Sequence, residues 1–384
     1  MREKASCYLS VTGRQMGLCG DKGMKKSFEE VFEDQTKYGT KVKTEEYCIS
    51  GAHIIVDQGQ GQIAGYTDRE DGLFADVPAI VFGDHTRVIK YVDTPFYLGA
   101  DGVKVLRSRF ENANYRYLYY ALKSARIPNT GYNRHYKWLK ETRINYPDAE
   151  RQAEIVRILD RVMEVIGKRQ QQLNAYDDLI KARFVELFGN PITNDKGWNV
   201  AELNSVCDGI GDGLHGTPEY DDSGEYPFIN GNNLMNGAIE ITPATKMVNE
   251  DTYKKHYIEL TKNAILLSIN GTLGKMAFYN GEEVMLGKSA CYCNLKPEIN
   301  RDFVYGVMKT DAFAGFLERN ATASTIKNVG LKAIRGFKLI LPPKNLQNQF
   351  VEFSKQIDKS KAQVQKSLNE TQLLFDSLMQ KYYG

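Results

Sequence analysis

The feature that most constrains the fold is an internal repeat, because residues 129–189 recur at 324–384 without an insertion or deletion. Pro147 and Pro342 illustrate the constant offset of 195 positions, and eleven residues are identical between the two segments. A match at a fixed offset through an uninterrupted segment is the signature of a duplicated structural unit. We therefore predict that the chain consists of two copies of one design.

Each copy of the repeat ends in a stretch whose apolar residues recur every seven positions. They are Leu159, Ile166, Leu173, Ile180 and Leu187 in the first copy and Phe350, Ile357, Val364 and, two heptads further on, Leu378 in the second. Prolines stand at the start of each stretch and glycines just past its end, where helices accept them. The pattern predicts two long amphipathic helices with a coiled-coil seam, each of about 40 residues and roughly 60 Å. Two related helices most simply bury their stripes against each other, the alternative being two unrelated core helices.

The remainder of each copy has the pattern of mixed α/β structure with short strands and glycine-rich turns. In the first copy the predicted elements are strands at His53–Val56, Ala79–Phe82, Val88–Val92 and Val103–Leu106 and a helix at Tyr115–Ala125. In the second copy Gly224–Asn230 parallels Gly51–Asp57, and Ala264–Thr272 parallels Ala79–Thr86. The offset is not constant in this region, so the loops differ in length. Divergent loops on a common scaffold suggest two copies adapted to two different ligands.

These patterns predict an α/β (α+β) protein with two pseudo-symmetric globular domains separated by two long antiparallel coiled-coil helices. The predicted boundaries are 1–146 and 190–341 for the globular domains and 147–189 and 342–384 for the helices. Residues 1–26 show no periodicity and are expected to be an atypical leader, with the first folded element near Phe28–Val31. The polar turn Asn190–Trp198 marks the boundary between the copies.

Composition describes an ordinary globular chain, with 42% hydrophobic and 26% charged residues. The six cysteines form no CxxC pair, which favours a reducing compartment, and we expect a cytoplasmic protein. No secretion signal and no apolar run of the ~18–20 residues that a membrane span requires is visible in the sequence. The net charge of +2 does not by itself indicate a nucleic-acid binder, because phosphate binding requires a basic face rather than a basic total.

The motifs that suggest catalysis are poor matches. The segment Gly281–Ser289 ends in GKS, but the preceding glycine lies one residue too far away for a phosphate-binding loop. The glycines of Gly59–Gly65 have the wrong spacing for a dinucleotide fingerprint, and the five histidines show no paired metal-ligand spacing. No hydrolase elbow and no adenine-methyltransferase motif is found. We therefore expect no catalytic and no metal-binding residues, and we favour a binding protein.

A polar, basic segment precedes each predicted long helix, at Asn129–Lys140 and at Ser324–Arg335. Basic residues occupy the same register positions in both copies: Lys137 and Lys332, Lys140 and Arg335, Arg143 and Lys338. If the segment is helical, a spacing of three places them on one face. Lysine and arginine attract phosphates, and asparagine, arginine and threonine bond base edges, so the segments are candidates for nucleic-acid contact. The alternative is a solvated charged face.

At this point the sequence resembles the DNA-specificity subunits of type I restriction–modification systems, over roughly residues 28–384. In the first copy the similar stretches are Phe32–Lys41 (FEDQTKYGTK), Ile55–Gln58 (IVDQ), Phe82–Arg87 (FGDHTR), Leu98–Lys104 (LGADGVK) and Asn129–Lys140. In the second copy they are Asp212–Tyr220 (DGLHGTPEY), Gly271–Lys275 (GTLGK), Ser324–Asn328 (STIKN) and Leu341–Pro343 (LPP).

The resemblance implies two target-recognition domains that each read one half of a split asymmetric site in double-stranded DNA, with the helices as spacer. It implies no chemistry in this chain. Two methyltransferase subunits would bind S-adenosylmethionine, and restriction subunits joined through the complex would use ATP and Mg²⁺. No membrane partner is implied.

The register and the resemblance together give a set of candidate DNA contacts. In the first copy they are His85, Arg87, Asn129, Thr130, Tyr132, Asn133, Arg134, His135, Lys137 and Lys140. In the second copy they are His215, Thr272, Lys275, Thr325, Lys327, Asn328, Lys332 and Arg335.

Two other functions fit the sequence less well. One is a two-domain coiled-coil adaptor without nucleic acid, which a heparin column and a gel shift with random duplex would distinguish. The other is a nuclease or methyltransferase active alone, which turnover by the purified chain would reveal.

Overall fold

The computed structural model describes residues 24–99, 101–235 and 237–384. The chain divides into two compact units. Unit 1 combines the chain up to Gln170 with Lys366–Gly384, and unit 2 comprises Gln171–Gln365. The C-terminal segment therefore contributes to the unit that begins the chain.

Unit 1 contains short strands that build three sheets. Its strands are β1 Met24–Ser27, β2 Phe32–Asp34, β3 His53–Val56, β4 Gly65–Thr67, β5 Ala79–Gly83, β6 Ile89–Val92, β7 Phe96–Leu98, β8 Val103–Ser108 and β9 Arg143–Tyr146. Its helices are α1 Phe28–Val31, α2 Tyr115–Lys123, α3 Tyr136–Lys140 and the first part of α4 Ala149–Phe188, with 3-10 turns at Thr36–Tyr38 and Thr44–Glu46.

The sheets of unit 1 are a four-stranded antiparallel sheet in the order β2-β8-β5-β6, a three-stranded sheet in the order β4-β3-β7 and the antiparallel pair β1–β9. In the second sheet β3 and β7 are parallel, whereas β3 and β4 are antiparallel. Strand β5 is buried along its whole length, as expected for a continuous apolar run in the middle of a sheet. Helix α2 packs beside this sheet and starts at Asn114, whose side chain accepts from the N–H of Tyr117.

Unit 2 repeats the order of the main strands and adds a further strand pair and two helices. Its strands are β10 Asn199–Glu202, β11 Cys207–Asp212, β12 Tyr226–Ile229, β13 Leu234–Met235, β14 Ala238–Ile239, β15 Met247–Val248, β16 Ala264–Ser268, β17 Met276–Phe278, β18 Met285–Leu286, β19 Ala290–Leu295 and β20 Lys338–Leu341. Its helices are α5 Glu250–Lys255, α6 Arg301–Met308, α7 Asp311–Asn320, α8 Leu331–Arg335 and part of α9 Lys344–Tyr383, with 3-10 turns at Leu203–Val206 and Gly231–Asn233. The additions are the β13–β14 pair and helices α5 and α7.

The sheets of unit 2 have the same strand order and sense as those of unit 1. The four-stranded sheet runs β11-β19-β16-β17, and the three-stranded sheet runs β15-β12-β18 with β12 parallel to β18. The antiparallel pair β10–β20 corresponds to β1–β9 of unit 1. Strands predicted from sequence at His53–Val56 and Ala79–Phe82 are confirmed, and so is the helix that begins at Tyr115. The predicted correspondence of Ala79–Thr86 with Ala264–Thr272 is matched by the central strands β5 and β16.

The prediction of a leader at residues 1–26 is wrong for its last three residues. Met24–Ser27 forms β1, which pairs with β9 in the register Met24 to Tyr146. The first element of the described chain therefore precedes Phe28, the position expected from sequence. Residues 1–23 lie outside the described part of the chain.

The two predicted long helices are confirmed as α4 and α9, each 40 residues long. The same hydrogen bond joins the start of each helix to the proline that precedes it. Gln152 donates from Nε2 to the carbonyl of Pro147 at 2.8 Å, and Gln347 donates to the carbonyl of Pro342 at 2.7 Å. Both glutamine side chains are buried, so each amide satisfies a backbone carbonyl that water does not reach.

The two helices run antiparallel where they pack in each unit. In unit 1 Arg151 lies over the ring of Tyr382, and Arg169 donates to the carbonyl of Ser367. Apolar contacts there join Ile155 and Leu159 with Phe375 and Met379 in one buried cluster. Within the described residues, no helix has both the length and the hydropathy that a membrane span requires.

In unit 2 the contacts between the helices follow the same antiparallel order. Lys361 pairs with Asp177, and further along the ring of Phe350 packs edge-on against Phe184 and Phe188 at 5.4 and 5.7 Å between centroids. Edge-on packing of aromatic rings is favourable beyond the area that it buries. This aromatic group is part of the main core of unit 2.

Replacing the buried Gln347 by Met should lower the free energy of unfolding by about 1–3 kcal/mol, because the carbonyl of Pro342 loses its donor while the side-chain volume is kept. Urea titration followed by circular dichroism measures the change. The matched control is Gln363→Met on the exposed face of the same helix, which should stay within about 0.5 kcal/mol of the wild type. Equal effects of the two substitutions would contradict the role assigned to Gln347.

Candidate nucleic-acid interface

In unit 1 one side chain joins the loops that follow β3, β5 and β7. Gln58 donates from Nε2 to the carbonyl of Asp101 at 3.1 Å, and its Oε1 accepts from the N–H of His85 at 3.2 Å. The Gln58 carbonyl accepts from the hydroxyl of Thr86 at 2.6 Å. Gly102, at φ +90, lies so close that an added Cβ would stand 2.7 Å from Gln58 Oε1. The loops are therefore held in one arrangement by hydrogen bonds.

A second set of bonds joins the loop after β5 to the segment before α3. The carbonyl of Asp84 accepts from the N–H of His135 at 2.8 Å and lies 3.0 Å from its Nδ1. The Asp84 carboxylate accepts from the N–H of Tyr136 at 2.7 Å. Asp84 is 4% exposed and His135 is fully buried at 0%. His135, a predicted DNA contact, is thus inaccessible to a ligand and instead positions the polar segment.

The turn formed by residues 129–134 is exposed and stabilised from within. Asn129 accepts from the N–H of Gly131, which has φ +76, at 3.2 Å, and Asn133 donates from Nδ2 to Thr130. The ring of Tyr132 stacks on that of His85, with centroids 4.6 Å apart and planes 7° apart. The structure therefore brings together two residues, His85 and Tyr132, that are far apart in the sequence.

The basic side chains of unit 1 differ in whether a protein group already pairs with their charge. Lys140 pairs with Glu29 at 2.8 Å, and Arg87 donates to the carbonyl of Ile127 at 3.1 Å. Lys137 is exposed, with its ammonium 4.1 Å from the centroid of the Trp138 ring. A lysine on an aromatic face still presents its charge to solvent.

Arg134 is exposed beside a carboxylate on the same surface. A bond from Lys41 at 2.9 Å lowers the pKa of Asp101, and Arg134 and His85 lower it further through their charges. Asp101 is therefore an ionised acceptor among cations, on the edge of the surface that carries His85.

Unit 2 joins the corresponding loop and segment through backbone groups. The N–H of Gly271 donates to the carbonyl of Lys327 at 2.9 Å, and the N–H of Val329 donates to the carbonyl of Ile269 at 2.9 Å. The hydroxyl of Ser268 donates to the carbonyl of Thr272 at 2.5 Å and fixes the shape of the loop. The loop after the central strand thus meets the segment before the short helix in both units.

The predicted contacts of unit 2 are mostly exposed. Those on the surface are His215, Thr272, Thr325, Lys327 and Lys332, whereas Lys275 and Asn328 are partly buried. His215 lies 2.8 Å from Asp212, and Lys327 pairs with Glu318 at 2.5 Å. Arg335 donates to the carbonyl of Ile210 at 2.6 Å, which ties α8 to β11.

The predicted common basic face extends over two of its three register positions. Lys137 and Lys140 lie in α3, and the corresponding Lys332 and Arg335 lie in α8. Arg143 and Lys338, by contrast, are the first residues of strands β9 and β20. The helical spacing assumed from sequence ends before these two residues, so that part of the prediction is wrong.

Sequence reasoning missed the polar residues whose hydrogen bonds hold this surface, namely partly buried Gln58 and buried Asp84. Gln58 and Asp84 lie inside the stretches IVDQ and FGDHTR. The sequence of these stretches does not show which side chains bond to neighbouring loops and which are exposed to a ligand. Among the described residues no group of three His, Cys, Asp or Glu side chains could hold a metal ion. The surface is suited to hydrogen bonding and to binding anions.

Comparisons with known proteins find relatives of this chain. A relative from Escherichia coli, the EcoR124I/EcoR124II specificity subunit of a type I restriction enzyme, is 28% identical over 167 residues, which are 38% of this chain and 41% of that protein. The match thus spans about two-fifths of the relative's length.

Solved structures share the fold. The type I restriction–modification S subunit from M. genitalium matches at a TM-score of 0.53 and 16% identity, over 94% of this chain and 96% of that one. A chain from a structural study of assembly and conformational transition of the type I R-M system matches at 0.50 and 18% identity, over 94% and 97%.

The model of the type I restriction modification DNA specificity domain matches twice, at residues 22–175 and 195–371. These matches cover most of the chain, and each includes a large part of one of the two repeated segments. The chain belongs to the type I restriction–modification DNA specificity family.

Proposed function

We propose that this chain is the non-catalytic DNA-recognition subunit of a type I restriction–modification enzyme, and that each unit reads one half of a bipartite asymmetric site. The observation that carries the proposal is the repeated junction of a loop and a polar segment. In both units the loop after the central strand is bonded to the segment before a short helix, yet the exposed side chains differ. One scaffold with two different polar surfaces fits two different half-sites.

The domain limits follow the repeat. Residues 1–146 and 190–341 form the two target-recognition domains, and residues 147–189 and 342–384 form a coiled-coil spacer of two antiparallel helices. This assignment is supported by the antiparallel contacts of α4 and α9 within each unit and by the shared Gln–Pro contact before each helix.

The contacts to DNA divide by chemistry. The exposed cations Arg134, Lys137 and Lys332 are suited to phosphates, which fix register without reading sequence. Arg335 and Lys140 have protein partners and serve more to position their helices. Base edges are left to His85 and Tyr132 on unit 1 and to exposed polar residues such as Thr272 and Thr325 on unit 2.

Catalysis is assigned to partner subunits. Two methyltransferase subunits would carry S-adenosylmethionine, and restriction subunits would use ATP and Mg²⁺. A docking role for α4 and α9 is supported by the large apolar side chains that these helices leave exposed, which are Val165, Leu179, Val185, Leu373 and Leu374. The free thiols of Cys207, Cys291 and Cys293 are consistent with a cytoplasmic complex.

Lengthening both long helices by one heptad, after Gln170 and after Gln365, should lengthen the DNA spacer and leave both half-sites unchanged. Seven residues add about 10 Å, or roughly three base pairs. Selection of bound sequences from a random duplex library measures both quantities. Insertion of four residues is the control, because it breaks the heptad register and should weaken binding at every spacer length. A change in the bases selected would contradict the spacer role, and failure to select any bipartite site would favour the adaptor alternative.

Replacing Lys137 by Ala should reduce the slope of log affinity against log salt concentration by about one unit, because one phosphate contact and its counterion are lost. Fluorescence anisotropy at several salt concentrations measures the slope. Lys168, an exposed lysine of α4 paired with Glu164, is the matched control, and Lys168→Ala should leave the slope unchanged. An unchanged slope for Lys137→Ala would exclude it as a phosphate contact.

A further inference from the structure

Tyr132 is unusual in unit 1 because its side chain is both exposed and ordered by an aromatic partner. The residue is 87% exposed, and its ring is stacked on His85 in a nearly parallel arrangement. Because so little of Tyr132 is buried, the residue contributes little to the core of unit 1. The stack instead holds a flat aromatic pair on the surface of the unit.

The imidazole of His85 has one buried and one accessible nitrogen. Nδ1 is buried and has no hydrogen-bond partner among the described residues, while the residue as a whole is partly exposed. An orphaned buried N–H is less tolerable than an orphaned acceptor, so the geometry favours a ring hydrogen on Nε2. The edge of His85 that a ligand meets is therefore a hydrogen-bond donor.

The pair is held in place before any ligand binds. Gln58 accepts from the His85 N–H, and the Asp84–His135 bonds fix the turn that carries Tyr132. Gly131, at φ +76, provides the left-handed residue next to Tyr132 that the turn requires, and an added Cβ there would meet nothing within 4 Å. A donor fixed by such contacts loses little conformational entropy when it binds.

Unit 2 has no such pair at the corresponding positions. In the repeat register Gly131 and Tyr132 correspond to Ile326 and Lys327. Ile326 is 65% exposed, and Lys327 is paired with Glu318. The difference lies in exposed side chains, whereas the junction of loop and segment is common to both units.

We propose that His85 and Tyr132 form a base-reading pair specific to unit 1, an inference that rests on the proposed function. His85 donates from Nε2 to an acceptor on the major-groove edge of one base, and Tyr132 shields and orients the imidazole. Guanine, adenine and thymine present such an acceptor there, whereas cytosine presents the N4 donor. The base contacted by His85 is therefore not cytosine.

The test is to co-express the full chain with its own modification subunit and map methylated adenines across the genome of a host without other adenine methylation. The wild type should give one bipartite motif. Tyr132→Ala and His85→Ala should each relax one and the same base position, in one half-site only, with discrimination among base pairs at that position reduced roughly tenfold. Tyr132→Phe keeps the ring and should retain the wild-type motif.

Ile326→Ala is the matched control, since it changes the same turn in the other unit. It should leave the half-site affected by the Tyr132 variant intact. Thermal unfolding of each variant is the control for folding. Each variant should unfold at the wild-type temperature, because Tyr132 is exposed and its replacement leaves the core unchanged.

Several outcomes would overturn the inference. Methylation reduced evenly over all sites with an unchanged motif would make the pair a phosphate contact. Relaxation of both half-sites would also contradict it. If the wild-type complex gave no bipartite motif at all, the proposed function itself would fail, whereas a normal wild-type motif that both alanine variants keep would remove the base-reading role alone.

Discussion

The burial of Phe375 and Met379 is the constraint on which the rest of the structure depends. These residues of α9 lie in the core of unit 1 with Ile155 and Leu159 of α4, although the remainder of that core comes from the start of the chain. Unit 1 is therefore complete only when the last segment of the chain has folded. Helices α4 and α9 each continue through parts of both units, and such long helices gain most of their stability from packing. A change in how α4 and α9 pair would therefore affect the cores of unit 1 and unit 2.

Polar residues are divided between those that hold the surface and those that are free to contact a ligand. Gln58, Asp84 and His135 use their hydrogen-bonding groups on neighbouring loops, and the burial of Asp84 and His135 makes an unmade bond there costly. Tyr132 and Arg134 lie on the outside of the same arrangement. The loops of a recognition surface need such internal bonds because binding would otherwise have to order them.

The sequence was sufficient for features with a period. The heptads predicted α4 and α9, and the continuous apolar run at Ala79 predicted the central strand β5. The sequence was insufficient for elements and side chains whose structure depends on a partner far away in the chain. Strand β1 consists of four residues without a period and exists because β9, far along the chain, pairs with it. Likewise no local pattern separates buried His135 from exposed Arg134, since the partner of His135 is the carbonyl of Asp84.

The junction between loop and segment also explains how one topology can carry two different surfaces. In unit 2 the joining bonds run between backbone groups, such as the Gly271 N–H and the Lys327 carbonyl. In unit 1 the N–H of His135 bonds a backbone carbonyl in the same way. A backbone bond is retained when a side chain is replaced, so positions 132 and 327 tolerate tyrosine in one copy and lysine in the other. Substitution at the exposed positions therefore changes what the surface presents while the fold that presents it persists.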